Sequence, residues 1–131
     1  MDRSLITHET RGDVKHLNGR DVYWLQTPQY TNGKYSSVCC VIYQPGNRSI
    51  PAHSHASGEI TAYIVSGTGK FKIGDEVYDV APGSVILCPQ GSPHMIWNNG
   101  TEELKMICFF APGIEAIKHE FHPVFDDSEL F

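Results

Sequence analysis

Residues 83–98 read GSVILCPQGSPHMIWN. Two apolar runs, VILC and HMIW, flank the segment PQGSP, in which Pro89, Gly91 and Pro93 turn the chain sharply. Short apolar runs bounded by turn formers read as strands. His94 opens the second run directly after the turn, so it is placed to face the interior of a sheet structure. Trp97 is out of phase with it and is expected on the outer face of its sheet.

The same pattern extends outward on both sides. From Ser36 onward the strand candidates are SSVCCVIY, ITAYIVSG, GKFKIG, EVYDV, SVILC, HMIWN and LKMICFF, separated by QPGN, SGTG, IGDE, APG, PQGSP and NNGTEE. Gly74-Asp75, between KFKI and EVYDV, predicts a tight hairpin. This spacing predicts an all-β antiparallel sandwich or barrel. The segment before residue 36 is polar, with one apolar cluster, Val22 to Leu25, expected as an edge strand. A short helix is expected near Ile114 to Glu120, followed by the acidic, partly apolar tail FHPVFDDSELF. The chain reads as one domain over residues 1–131, with an N-terminal arm to about residue 35, a barrel over about 36–112 and a tail over about 113–131.

The composition excludes several functions. A net charge of -5 and scattered Lys and Arg argue against a nucleic-acid surface. No apolar run is long enough for a membrane helix, and the N-terminus lacks the apolar core of a secretion signal, so cytoplasmic residence is expected. Cys39, Cys40, Cys88 and Cys108 show no CxxC spacing and sit in or beside apolar runs, which predicts small buried hydrophobes. Cys39 and Cys40 are expected on opposite faces of one strand.

Residues 51–60, PAHSHASGEI, hold the other candidate chemistry. On a strand His53 and His55 share a face, and Pro51 with the preceding QPGN disfavours a helix. If residues 56–58 turn between two paired strands, Glu59 swings back towards the histidines. That makes three ligands of mixed nitrogen and oxygen type, and His94 supplies a fourth.

Taken together, the two stretches resemble the motifs of the cupin superfamily. The second motif is a glycine, five residues, PxG, two residues, His, three residues and Asn; Gly83, Pro89, Gly91, His94 and Asn98 match it at every spacing. The first is a glycine, five residues, HxH, three or four residues, Glu, six residues and a glycine. Gly46, His53, His55, Glu59 and Gly67 follow it with six residues before His53 and seven after Glu59. A bulge must absorb the additional residue if Glu59 is to face the metal, because a one-residue slip reverses the faces of a strand.

The resemblance implies a jelly-roll barrel, the antiparallel double-stranded β-helix, with one divalent transition metal inside it. His53, His55, Glu59 and His94 would be the ligands, and Fe, Mn, Ni, Zn or Co all suit that donor set. It implies a metal-dependent enzyme acting on a small oxygenated molecule, with dioxygenase-type cleavage favoured. A non-catalytic binding protein and a metal-dependent isomerase, decarboxylase or lyase are the alternatives. Glu59, if unligated, is the candidate general base. Homodimerisation is a further expectation of the resemblance.

Four other residues are candidates for a substrate pocket, each with a plainer reading. Tyr63 is in phase with Glu59 and either contacts substrate or is a buried, hydrogen-bonded tyrosine. Cys108 and Phe110 share an inward face with Met106 and either line the pocket or pack the core, while Lys105 faces solvent. Arg48, just before the HxH, holds a substrate carboxylate or is simply solvated.

Overall fold

The first regular structure is a hairpin. Asp13–Leu17 (β1) and Arg20–Gln26 (β2) pair antiparallel, with Leu17 opposite Arg20 across the two-residue turn Asn18-Gly19. Gly19 has a φ of 81°, which the turn requires. The computed structural model describes residues 5–28, 31, 33, 35–49, 53–54, 58–112 and 120–121, and for 53, 120 and 121 the backbone alone. The apolar cluster expected as an edge strand lies instead in β2, between β1 and Ser37–Tyr43 (β3). The reason is its alternation: Val22 and Trp24 are buried in the core, whereas β1 is exposed along most of its length and forms the edge.

The remaining strands are His53–Ser54 (β4), Glu59–Ser66 (β5), Gly69–Ile73 (β6), Glu76–Val80 (β7), Val85–Cys88 (β8), His94–Trp97 (β9), Leu104–Ala111 (β10) and Glu120–Phe121 (β11). One sheet runs β1-β2-β3-β10-β5-β8 and the other β11-β4-β9-β6-β7. From β3 to β10 the chain passes back and forth between the two sheets, which is the winding of an antiparallel double-stranded β-helix. The Gly74-Asp75 hairpin forms as predicted, with Ile73 opposite Glu76.

The core lies between the sheets. The first sheet contributes Trp24, Cys39, Tyr43, Ile60, Ile64, Met106, Cys108 and Phe110, and the second Phe71, Val80 and Ile96. Fully burying side chains of this kind is worth about 1.5–3 kcal/mol each relative to exposure, so the pleat of each strand is fixed by which alternate set is apolar. Gly67, at the turn from β5 to β6, has a φ of 82°, and a β-carbon there would collide with the Glu103 carbonyl oxygen. Only glycine lets the two backbones meet at that end of the barrel.

One sequence expectation meets a different geometry, and another falls largely outside the described residues. β4 and β5 belong to different sheets, so they are not the two paired strands of a hairpin; residues 55–57 lie outside the described residues. Of the expected helix near Ile114 to Glu120, only Glu120 is described, and it opens β11; residues 114–119 lie outside the described residues.

Candidate metal centre

His94 opens β9 directly after the Pro89–Pro93 turn, as its sequence context predicts. Its neighbours across the sheet are Ile73 on β6 and His53 on β4. The residue is 3% exposed. Its Nδ1 lies 3.1 Å from the carbonyl oxygen of Ser92. A carbonyl only accepts, so Nδ1 donates, and in the neutral ring the lone pair then resides on Nε2. A backbone carbonyl on one ring nitrogen, fixing the tautomer and orientation, is the usual support of a metal-binding histidine.

The backbone of His53 stands directly opposite His94, the one register pair between β4 and β9 among the described residues. The approach to β4 is also tied to β9. Ser49 N–H donates to the Ile96 carbonyl at 2.9 Å, and Ile96 N–H donates to Ser49 Oγ at 2.9 Å. The two sequence motifs are therefore adjacent in the sheet despite their separation in the chain. The side chain of His53 and the whole of His55 lie outside the described residues. Among the described residues no three metal-capable side chains cluster.

Glu59 is placed differently. It opens β5 opposite Ala111 and is exposed, while Ile60 beside it is buried opposite Phe110. A bulge does interrupt β5: Lys105 and Met106 face Ser66 and Ile64, so Val65 is the additional residue. Upstream of it the strand keeps Ile60, Ala62 and Ile64 on the core side, paired with Phe110, Cys108 and Met106. Reversing that phase would expose three apolar side chains and bury Glu59, Thr61 and Tyr63. The resemblance counts two ways here: with three residues between, His55 is followed by Glu59, while with six residues between, Gly67 is preceded by Ile60. The structure gives the inward position to Ile60.

Tyr63 follows Glu59 in phase and is 46% exposed, on the outer face. Arg48 pairs with Trp97 in an isolated bridge, and its guanidinium carbon lies 4.5 Å from the centroid of the Trp97 ring. That cation–π contact is on the outer side of β9, the face predicted for Trp97. Cys108 and Phe110 face the interior and are part of the core. Phe110 meets Trp24 with ring centroids 5.4 Å apart and planes at 48°. Trp24 thus belongs to the inner wall, and the alternation of VYWL is the signal for it.

Asn98, the last residue of the second motif, holds the fold together. Its Nδ2 donates to the Tyr43 and Glu102 carbonyls at 2.8 Å each, and its Oδ1 accepts from Gly100 N–H at 3.0 Å. Its backbone accepts from Gly46 N–H and donates to the Asn47 carbonyl. A fully buried amide with all of these groups paired ties the β3 end, the 46–47 turn and the loop into β10 together.

The interior suppresses charge. Burial pushes the Cys88 thiol up to about 12, with Cys108 adding to the effect, and pushes the Tyr43 phenol up to about 12. Cys39 is raised well above the ordinary thiol range, by burial first and then by its hydrogen bond with Cys108. All four cysteines are buried and free, as expected of small core residues, and Cys39 faces the core cluster that Cys40 does not join. No Asp or Glu is buried among the described residues. Among the described residues His94 is the buried imidazole, and its carbonyl-anchored ring fits the use of a metal donor.

The Cupin domain family matches residues 40–110, more than half of the chain. The protein belongs to the cupins. A protein of Methanocaldococcus jannaschii, described as uncharacterized, is 30% identical over 95 residues, covering 72% of this cupin and 75% of its own length. Among solved structures, a Klebsiella pneumoniae protein with a double-stranded β-helix domain superposes with a TM-score of 0.73 at 22% identity, covering 91% of this chain and 97% of that one. The Streptomyces protein PAC13, in a single-residue variant solved with uridine, reaches 0.77 at 17% identity over 97% and 98% of the two chains. At such identities these likenesses establish the fold. No helix among the described residues is long and apolar enough to cross a membrane.

Proposed function

We propose that this cupin is a metal-dependent enzyme in which His53, His55 and His94 hold one divalent transition metal, Fe, Mn, Ni, Zn or Co. It acts on a small anionic oxygenated molecule, with oxidative cleavage by dioxygen as the reaction. The observation that carries the reading is the register pair His53–His94, with His94 buried and anchored through Nδ1. Directly opposed residues of an antiparallel pair share a face of the sheet, and the proposal requires the His53 imidazole on the face His94 uses.

The donor set argues for the substrate class. Three neutral imidazoles contribute no charge, so a divalent ion keeps its double charge for the ligand that completes the sphere. An anionic molecule with two oxygen donors satisfies that best. When bound, such an ion supplies Lewis-acid polarisation of a substrate oxygen and, for iron, an electron route to dioxygen.

The rest is the work of the chain. The Ser92 carbonyl holds the His94 ring in one tautomer. Ile60, Trp24 and Phe110 belong to the buried apolar core between the sheets, and an interior of that kind would exclude water and strengthen electrostatic contacts with a bound anion. Among the described residues no Asp or Glu is buried, so an acid or base for an isomerase or lyase would have to come from another side-chain type such as His or Tyr. With Glu59 on the outer face, chemistry that does not depend on a protein carboxylate is the better fit.

The test is anaerobic loading with ferrous iron, followed by oxygen-uptake assays over catechols, diketones and thiols. Iron-dependent uptake with one of these classes is expected. Uptake with none of them under any metal, together with tight retention of a small molecule, would make the protein a binding module and overturn the proposal.

A further inference from the structure

Thr27, one residue beyond the end of β2, carries a hydroxyl that the fold leaves unsatisfied. The residue is 3% exposed, and its Oγ1 is buried without a hydrogen-bond partner. The backbone beside it is satisfied, since the Thr27 carbonyl accepts from Thr31 N–H at 3.0 Å and from Thr31 Oγ1 at 3.1 Å. A threonine hydroxyl ordinarily finds a nearby carbonyl, and burying one unpaired is destabilising.

A bulge puts it there. β2 faces the core with Val22 and Trp24, so unbroken alternation would bring Gln26 inward and send Thr27 out. Instead the register slips between Trp24, opposite Cys39, and Gln26, opposite Val38, which makes Leu25 the additional residue. Gln26 then lies on the outer face, where its Nε2 donates to the Leu5 carbonyl at 3.3 Å, and Thr27 takes the inward place. Bulges that re-aim a single side chain are common beside active sites.

That place is at His94's end of the barrel. Continuing the register sets Thr27 beside Ser37; Ser37 stands opposite Phe110, Phe110 opposite Ile60, and Ile60 opposite Cys88. All of these residues are buried, and they form one inward row across the first sheet. Cys88 ends β8, and the Pro89–Pro93 turn carries the chain from there to His94 on the second sheet. Packed sheets stand about 10 Å apart, so a ligand of about one ring's length bridges the two.

We propose that Thr27 Oγ1 is a substrate-binding group, hydrogen-bonded to an uncharged oxygen of the ligand at the end away from the metal. The inference deepens the proposed function and rests on its placement of the ligand beside His94. The row contains no Lys or Arg, so a second carboxylate held there would be a buried charge without a counterion. A carbonyl or hydroxyl oxygen suits a neutral hydroxyl. The substrate class narrows to a molecule that is anionic and bidentate at one end and carries a neutral oxygen at the other.

Two measurements test it, using Thr27→Val, which removes the hydroxyl at similar volume, and Thr27→Ser, which keeps it. The first is chemical denaturation of the protein without ligand. The midpoint of the Val variant is expected to equal or exceed that of the wild type, because no bond is lost. A clearly lower midpoint would mean that the hydroxyl is bonded within the folded chain, and it overturns the proposal. The second is calorimetric binding, to zinc-loaded protein, of catechol and of its derivatives with a hydroxymethyl or a carboxylate group para to one ring oxygen. The wild type is expected to bind the hydroxymethyl probe about tenfold more tightly than the other two. Thr27→Val is expected to lose that preference and Thr27→Ser to keep most of it. Any other order in the wild type, binding of none of the three, or a preference that survives in the Val variant overturns the proposal. Zinc does no redox chemistry and the denaturation needs no metal, so a failure of oxidative cleavage leaves both readouts standing. A failure here leaves the His53–His94 pairing untouched.

Discussion

His94 and Glu59 each open a strand, each lie in a motif of the same family, and end on opposite terms with the barrel. His94 is buried, opposed to His53 and anchored through Nδ1 to a carbonyl. Glu59 is exposed, with Ile60 turned inward beside it. Identity of the side chain did not decide this; the pleat did. In β9 the turn Pro89–Pro93 delivers His94 in phase with Ile96, another core residue. In β5 the apolar set begins one residue later, and a single step along a strand is a change of face.

The contrast is easiest to break at His94. His94→Ala removes the buried donor and is expected to weaken metal retention roughly 1,000-fold, about 4 kcal/mol, read as metal content after dialysis. Next comes Ile60→Glu, which places a carboxylate at the inward position. Without metal it is expected to cost about 3 kcal/mol in chemical denaturation, as an unpaired buried acid does. If the metal lies beside it, added Zn or Mn recovers much of that loss; no recovery would place the ion away from this end of β5.

Asn98→Ala sharpens the contrast from the structural side of the second motif. It leaves three hydrogen-bonding backbone groups without their partner and is expected to cost about 2 kcal/mol, with metal stoichiometry unchanged in the folded fraction. The smallest effect belongs to Glu59→Gln. Monomer stability is expected to move by under about 0.5 kcal/mol, and metal content not at all. A clear loss of metal in that variant would return Glu59 to the coordination sphere.

Much of this is legible in the sequence, for identifiable reasons. The strands from β3 to β10, leaving aside the two-residue β4, announce themselves by alternation. The second motif matches at every spacing, and its fixed residues turn the chain, supply the buried ring or clasp neighbouring loops. Less is legible where the signal is not periodic. The Asn18-Gly19 pair is a strong hairpin signal, yet it sits among polar residues, so the polar stretch reads as an arm. Tyr63 is in phase with Glu59 as predicted, but phase alone does not say which face is the inner one. Only the partners of Ile60, Ala62 and Ile64 across β10 settle that. Arg48 reads as a loop cation at the barrel mouth, and nothing in its neighbours' sequence announces the bridge to Trp97.

The stitching of residues 46–49 to 96–98 has a consequence for how the protein comes together. Those contacts close a loop of some fifty residues containing β4 to β9, and the His53–His94 pair lies just beyond them. Closure over that span carries an entropic cost before any local contact repays it, so this pairing is a late event in folding. Half a barrel therefore holds none of the centre. Loss of the His53–His94 pairing on denaturation should coincide with the cooperative collapse of the whole β-sheet signal, with no earlier local transition.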